Sequence, residues 1–251
     1  MNTYNEIRDL AKTLSLSNLF NNTDKALAPG LDRTNEDFLL GLLRNEITYR
    51  EEKSKERRFK QAHLPAIKTL ETFDTNFQTS ITRLQLDTLA NLSWIQTLHN
   101  LVLLGPPGVG KTHIALALCN LALHSGYKVF FTSMDRLIHY LKTAEISKTS
   151  RCRLAYIYSC DLVVVDELGY LPVSRPEANF FFQLISKLHD SASLVITSNK
   201  GFDSWSQIFG DSILATALLD RLTFRCEVVP LAGDSYRLHH RSNIFNDISQ
   251  N

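Results

Sequence analysis

Residues 101–112 read LVLLGPPGVGKT, and the order of chemistries in that stretch decides the fold. The run 101–104 is short, apolar and uninterrupted, as expected of a strand buried on both faces. Gly105-Pro106-Pro107-Gly108-Val109-Gly110 then forbids either strand or helix from continuing. Lys111 and Thr112 open a stretch carrying Ile114, Leu116 and Leu118 and predicted to be helical. A strand, a glycine loop and a helix in that order form a P-loop. Its backbone N–H groups turn inward around phosphate oxygens, and the helix N-terminus adds positive potential. The spacing predicts that Lys111 reaches the β- and γ-phosphates of ATP and that the Thr112 hydroxyl ligates Mg2+.

Such a loop needs a carboxylate near the metal, brought by a neighbouring strand. Residues 162–167, LVVVDE, supply one: four apolar residues deliver Asp166 to the C-terminal edge of a sheet, where open α/β sheets bind ligands. Asp166 is the candidate for the magnesium shell, and Glu167 is the candidate base that orients water. The adjacent glutamate favours hydrolysis by water over transfer to a small acceptor. A further apolar run, 194–197, ends in Ser198-Asn199, which makes Asn199 a candidate contact to the γ-phosphate or the attacking water. In the predicted helix 213–224, Leu214, Leu218, Leu219 and Leu222 face inward. Arg221 near its end either reaches the ATP of a neighbouring subunit or pairs with Asp220.

With 129–132 and 226–229, five apolar runs alternate with helical stretches from residue 99 onward, the pattern of a parallel α/β sheet. Before it, Phe38, Leu39, Leu42, Leu43 and Ile47 recur at helical spacing, and the helix is expected to run through the charged stretch 50–58 and end near Pro65. The expected organisation is a helical N-terminal domain at 1–65, with its first thirty residues loosely packed, then a helical connector at 66–98 and an ATPase domain at 99–251. The connector carries Phe73, Phe77, Leu84, Leu86, Leu89, Leu92, Trp94 and Ile95 as packing residues.

Length and composition fit this plan: 251 residues, 44% of them hydrophobic and 21% charged, match a globular chain and exclude the disordered class. No apolar run approaches the roughly 18 residues of a membrane span, and the N-terminus lacks the pattern of a signal peptide, so a cytoplasmic location is expected. The four cysteines include no CxxC pair and read as small, buried, reduced thiols.

GPPGVGKTH, DLVVVDELGYLPV, LVITSN, ALLDRLTF and GDSYRL, in this order, resemble the IstB family of ATP-binding helper proteins from bacterial insertion sequences. The resemblance takes in RNEITYREEKSKERRFKQAHLPAIKTLETFD and spans about residues 35–240. Core motifs are shared with the helicase loader DnaC and, more distantly, the initiator DnaA. The resemblance implies an AAA+ fold with sheet order 5-1-4-3-2, ATP-dependent oligomerisation on DNA and a transposase partner. By motif match Lys111 and Thr112 are Walker A residues, Asp166 and Glu167 Walker B, Asn199 sensor 1 and Arg221 the trans-acting arginine. Arg237 falls near the second sensor position, although too little chain follows the last strand for a full helical lid. His113 follows the P-loop threonine as in the family, as a packing or polar contact on the helix.

The resemblance also implies a DNA-facing helical insertion at 133–160. Lys142, Lys148, Arg151 and Arg153 supply charge for a phosphate backbone there, with a solvated helix face as the alternative. Lys53, Lys55, Arg57, Arg58 and Lys60 form a second candidate, although glutamates at 51, 52 and 56 offer i,i+4 pairing instead. The expected function is an ATP-switched DNA-binding factor that serves a transposase. The alternatives are a DnaC-like loader on single strands, a P-loop kinase and a non-hydrolysing adaptor.

Overall fold

The computed structural model describes residues 3–16, 20–21 and 33–241. The chain divides into two compact units, Met1–Arg57 and Arg58–Asn251. In the first, α1 (Thr3–Thr13) and the N-terminal part of α2 (Arg33–Ala62) share a small core of Ile7, Leu14, Leu40 and Leu43, with Leu39 and Ile47 packed beside it. Of the apolar residues at helical spacing, Phe38 and Leu42 are instead exposed, since the helix buries Leu40 and Leu43 with Leu39 and Ile47 partly buried beside them.

The second unit is a five-stranded parallel sheet in the order β2-β3-β4-β1-β5. Its strands are β1 (Asn100–Leu104), β2 (Val129–Ser133), β3 (Leu162–Leu168), β4 (Ser193–Ser198) and β5 (Cys226–Pro230). All five apolar runs are strands, and the order is the expected 5-1-4-3-2. Period-2 alternation sends Leu101, Leu103, Leu162, Val164 and Val195 into one apolar layer and Val102, Val163, Val165 and Ile196 into another. Burial on both faces explains why β1 to β4 are largely apolar, whereas the edge strand β5 buries only Val229 and exposes Glu227. One layer holds α3 (Arg83–Ala90) and α5 (Lys111–His124). The other holds α6 (Met134–Thr143), α7 (Lys148–Ile157), α8 (Arg175–Leu188), α9 (Trp205–Phe209) and α10 (Ser212–Thr223). A short α4 (Ser93–Gln96) precedes β1, and α11 (Tyr236–His239) follows β5.

Local chemistry starts several of these helices. Thr82 and Gln85 form a capping box on α3, with Gln85 N–H to Thr82 Oγ1 at 3.2 Å and Thr82 N–H to Gln85 Oε1 at 2.9 Å. Asp211 accepts from the N–H groups of Ile213 and Leu214 at the head of α10. Buried Asn100 donates to Leu222 O at 2.9 Å and accepts from Leu194 N–H at 3.0 Å, tying β1 to both α10 and β4.

Helices occupy only the later part of the 66–98 connector. Residues before α3 form turns, and Leu70, Phe73 and Ile81 enter the same core as α5. Leu84, expected to pack, is 76% exposed because α3 turns Leu86 and Leu89 inward instead. Among the cysteines, Cys119 and Cys160 are buried as expected, whereas Cys152 lies exposed on α7. No helix among the described residues is long and apolar enough to cross a membrane.

Candidate functional site

The glycine loop leaves β1 and turns into α5 through residues of positive φ, +85° at Gly108 and +100° at Gly110. Side chains are excluded at both. A Cβ at Gly108 would lie 2.1 Å from Ser235 Oγ, and one at Gly110 would lie 2.6 Å from the Phe73 ring. Two distant segments therefore press on the loop: the turns preceding α3 and the C-terminal segment leading into α11. Gln78 Nε2 donates to Val109 O at 3.1 Å, and Gly108 O accepts from Tyr236 N–H at 3.1 Å.

Together these segments enclose a cavity of about 600 Å³. Gly108 to His113 line one wall; Ile67, Thr69, Thr72, Phe73 and Phe77 line another; Tyr236 and Arg237 complete it. The arrangement offers phosphate-binding backbone at one end and an apolar, aromatic wall suited to a base. Lys111 Nζ donates to Gly105 O at 2.6 Å and Pro106 O at 2.8 Å. Burial holds its pKa below the ordinary lysine value; Arg237 adds repulsion in the same direction and Asp166 opposes both. His113 behaves as the polar contact expected of it: its Nε2 lies 3.0 Å from Thr69 O and 3.3 Å from Thr72 Oγ1. Phe77 meets Tyr236 edge-on with ring centroids 5.3 Å apart, which holds α11 against the cavity. Arg237 thus reaches the nucleotide cavity on a helix of four residues.

Asp166 is 6% exposed and accepts from Thr112 Oγ1 at 3.0 Å and 3.2 Å on its two oxygens. A hydroxyl and a carboxylate side by side, next to a phosphate cradle, form a hard oxygen set that fits Mg2+, which usually takes one or two carboxylates with water and substrate phosphates. Among the described residues no cluster of three or more His, Cys, Asp and Glu could hold a metal.

Glu167 departs from regular strand geometry. Val165 pairs with Ile196 and Leu168 with Ser198, so β3 carries a bulge between them, and Glu167 has φ +64°. A non-glycine residue held there costs about 1–3 kcal/mol, and bulges of this kind re-aim a side chain. The bulge turns Asp166 into the buried edge and leaves Glu167 exposed on a smaller cavity of about 160 Å³ shared with Tyr170, Leu171 and Glu177. At the tip of β4, Asn199 Oδ1 is buried without a hydrogen-bond partner among the described residues.

A model of the IstB-like ATP-binding proteins matches residues 9–244. The chain belongs to this family. It is 43% identical over 205 residues to a Pseudomonas aeruginosa protein named for ATP binding in insertion sequence IS21, covering 82% of this chain and 77% of that one. A Bacteroides fragilis protein named for an IS21-like sequence is 34% identical over 244 residues, 96% of this chain and 93% of that one. Among solved structures, DnaI superposes with a TM-score of 0.54 at 18% identity over 67% of this chain and 89% of its own. AMPPCP-bound DnaA from Aquifex aeolicus gives 0.53 at 22% identity over 66% of this chain and 50% of its own. The fold is therefore the AAA+ P-loop fold.

On this IstB-like scaffold, Arg221 sits on α10, half-buried, with its guanidinium carbon 5.1 Å from the Phe182 ring centroid. Among the described residues no ion pair joins it to Asp220. The basic candidates divide. Lys53 pairs with Glu56 at 3.1 Å, Lys142 with Glu177 at 2.8 Å, and Arg151 donates to Ala144 O and Glu145 O, all within the molecule. Arg57 and Lys60 are exposed, and Arg58 is half-buried. Lys148 and Arg153 line an open groove of about 360 Å³ with Gln61, Thr149, Cys152 and Tyr156. Burial lowers the pKa of His63, and the charges of Arg153 and Arg136 add to the shift in the same direction.

Residues 66–80 were not assigned to the nucleotide site from sequence. The signal was present in Asp74-Thr75-Asn76: the Asp74 carboxylate accepts from Asn76 N–H at 2.9 Å and Phe77 N–H at 3.1 Å, an Asx turn incompatible with continuous helix.

Proposed function

We propose that this protein is an ATPase that oligomerises on duplex DNA in its ATP state, presents deformed DNA to a transposase and disassembles after hydrolysis. The observation that carries this reading is the Thr112–Asp166 pair at the mouth of an IstB-family P-loop, with Glu167 displaced beside it on a bulge. Lys111 and the loop N–H groups bind the β- and γ-phosphates. Thr112 and Asp166 would hold Mg2+, which neutralises charge on the phosphate oxygens when bound. Glu167 takes a proton from water, and the buried Asn199 oxygen orients that water or the γ-phosphate. Arg237 contacts phosphate within its own subunit.

Arg221 is assigned to the nucleotide of a neighbouring subunit. It lies on α10 over the Phe182 ring, while Gly108 to His113 and Arg237 form the cavity of its own subunit. ATP turnover thereby depends on assembly. Lys148 and Arg153, which line one open groove, are the strongest of the candidate phosphate-backbone contacts, and contacts of that kind carry no sequence information.

The test is phosphate release with no DNA, with duplex and with single strands, in the absence of any small-molecule acceptor. Stimulation by duplex supports the reading. Stimulation by single strands alone, together with a transposase that does not respond, replaces it with a helicase-loader role.

A further inference from the structure

Thr197 carries no charge and is given no role by the LVITSN motif it sits in, yet it is the one residue of β4 opposite both acidic residues of β3. With Val165 paired to Ile196 and Leu168 to Ser198, Thr197 alone faces the bulge formed by Asp166 and Glu167. It is 1% exposed. Its hydroxyl donates to Asp166 Oδ1 and accepts the Glu167 N–H at 3.0 Å. One hydroxyl therefore spends its donor on the carboxylate beside Thr112 and an acceptor position on the backbone of the residue at φ +64°.

We infer that Thr197 is a positioning residue that sets both carboxylates of the site through this single hydroxyl, Asp166 for the cation and Glu167 for the water. This rests on the roles given above to Asp166 and Glu167. Two physical consequences follow from removing the hydroxyl. Among the described residues Asp166 then keeps only Thr112 as side-chain donor, the group that must turn to the cation when one binds, so the carboxylate loses its fixed hydrogen bond. The Glu167 N–H loses the acceptor that offsets its left-handed backbone, and the bulge relaxes toward ordinary strand geometry, withdrawing the Glu167 carboxylate. Valine has the shape of threonine and neither hydrogen bond; serine keeps both bonds and lacks only the methyl group.

The experiment compares wild type, Thr197→Val and Thr197→Ser in two measurements. One is the Mg2+ concentration that half-saturates tightening of a fluorescent, non-hydrolysable ATP analogue; the other is kcat and KM for phosphate release. Partners that orient a metal ligand commonly contribute about 10–100-fold to metal affinity or activity. Thr197→Val is expected to bind the analogue normally without Mg2+, to need about tenfold more Mg2+, and to lose about tenfold or more in kcat with a smaller change in KM. Thr197→Ser should stay close to wild type in both. The inference is overturned if Thr197→Val matches wild type, if Thr197→Ser is as defective as Thr197→Val, or if Thr197→Val loses Mg2+-free binding. A wild-type protein that releases no phosphate refutes the ATPase reading, while the Mg2+ titration still decides the role of Thr197.

Discussion

In the proposed reaction Lys111 and Glu167 act at different stages, so replacing each should separate binding from turnover. Lys111 is assigned to ground-state phosphates, and a hydrogen bond to a charged group is worth about 1.5–3 kcal/mol. Lys111→Ala should therefore weaken ATP binding by about tenfold or more in a fluorescence titration. Glu167→Gln keeps shape and binding but removes the base, and phosphate release should fall by about 10²–10⁴. Undiminished hydrolysis by Glu167→Gln contradicts the assignment. Arg221 makes a different demand, because its partner is expected in the next subunit. Arg221→Ala should bind ATP normally and lose about 10³–10⁵ in turnover, and mixing it with Lys111→Ala protein should restore part of the activity. A fully active, monomeric Arg221→Ala protein sinks the trans role.

At the scale of elements, α8 begins beside the smaller cavity that Glu167 lines. Glu177 accepts from Ser174 N–H at 2.9 Å, Ser174 Oγ at 2.7 Å and Lys142 Nζ at 2.8 Å. The Lys142 hydrogen bond, followed by those from Ser174, lowers the Glu177 pKa from 4.5 to about 2. A carboxyl whose pKa is lower in the folded state stabilises the fold above its unfolded pKa, and that contribution is lost as pH falls through the folded value. Glu177→Gln keeps the capping box but loses the ion pair with Lys142, and should lower Tm near neutral pH by up to about 2–4 °C, for a partly exposed pair worth at most about 1 kcal/mol. The difference from wild type should shrink below about pH 4.5 and vanish near pH 2 in a calorimetric series. A deficit that persists unchanged at pH 2 refutes the ionic account. Strands β1 to β4 were legible because burial on both faces leaves mostly apolar residues, bounded by the glycine loop and by acidic or polar tips, while the edge strand β5 showed only through Val228-Val229. The cavity wall at 66–80 was not, since Phe73 and Phe77 read equally well as core and reach the P-loop only through turns. Thr197 was hidden for another reason: its importance comes from a bulge on a different strand, which no local pattern records.

For the whole molecule, ATP binding and DNA binding are expected to meet in assembly. The net charge of +1 gives one subunit little general attraction for DNA. Bending a site of about 20–30 bp costs on the order of 1–6 kcal/mol, which several subunits sharing a duplex offset better than one. The salt dependence should be steep for the same reason, about −0.9 in log–log slope for each phosphate neutralised. The measurement that bears most directly on this account uses Glu167→Gln protein, with turnover arrested, on duplex DNA in Mg2+-ATP or Mg2+-ADP, followed by sedimentation and electron microscopy. The account predicts contiguous oligomers on duplex in ATP and their absence in ADP. Equal assembly in both nucleotides, or assembly on single strands alone, contradicts it.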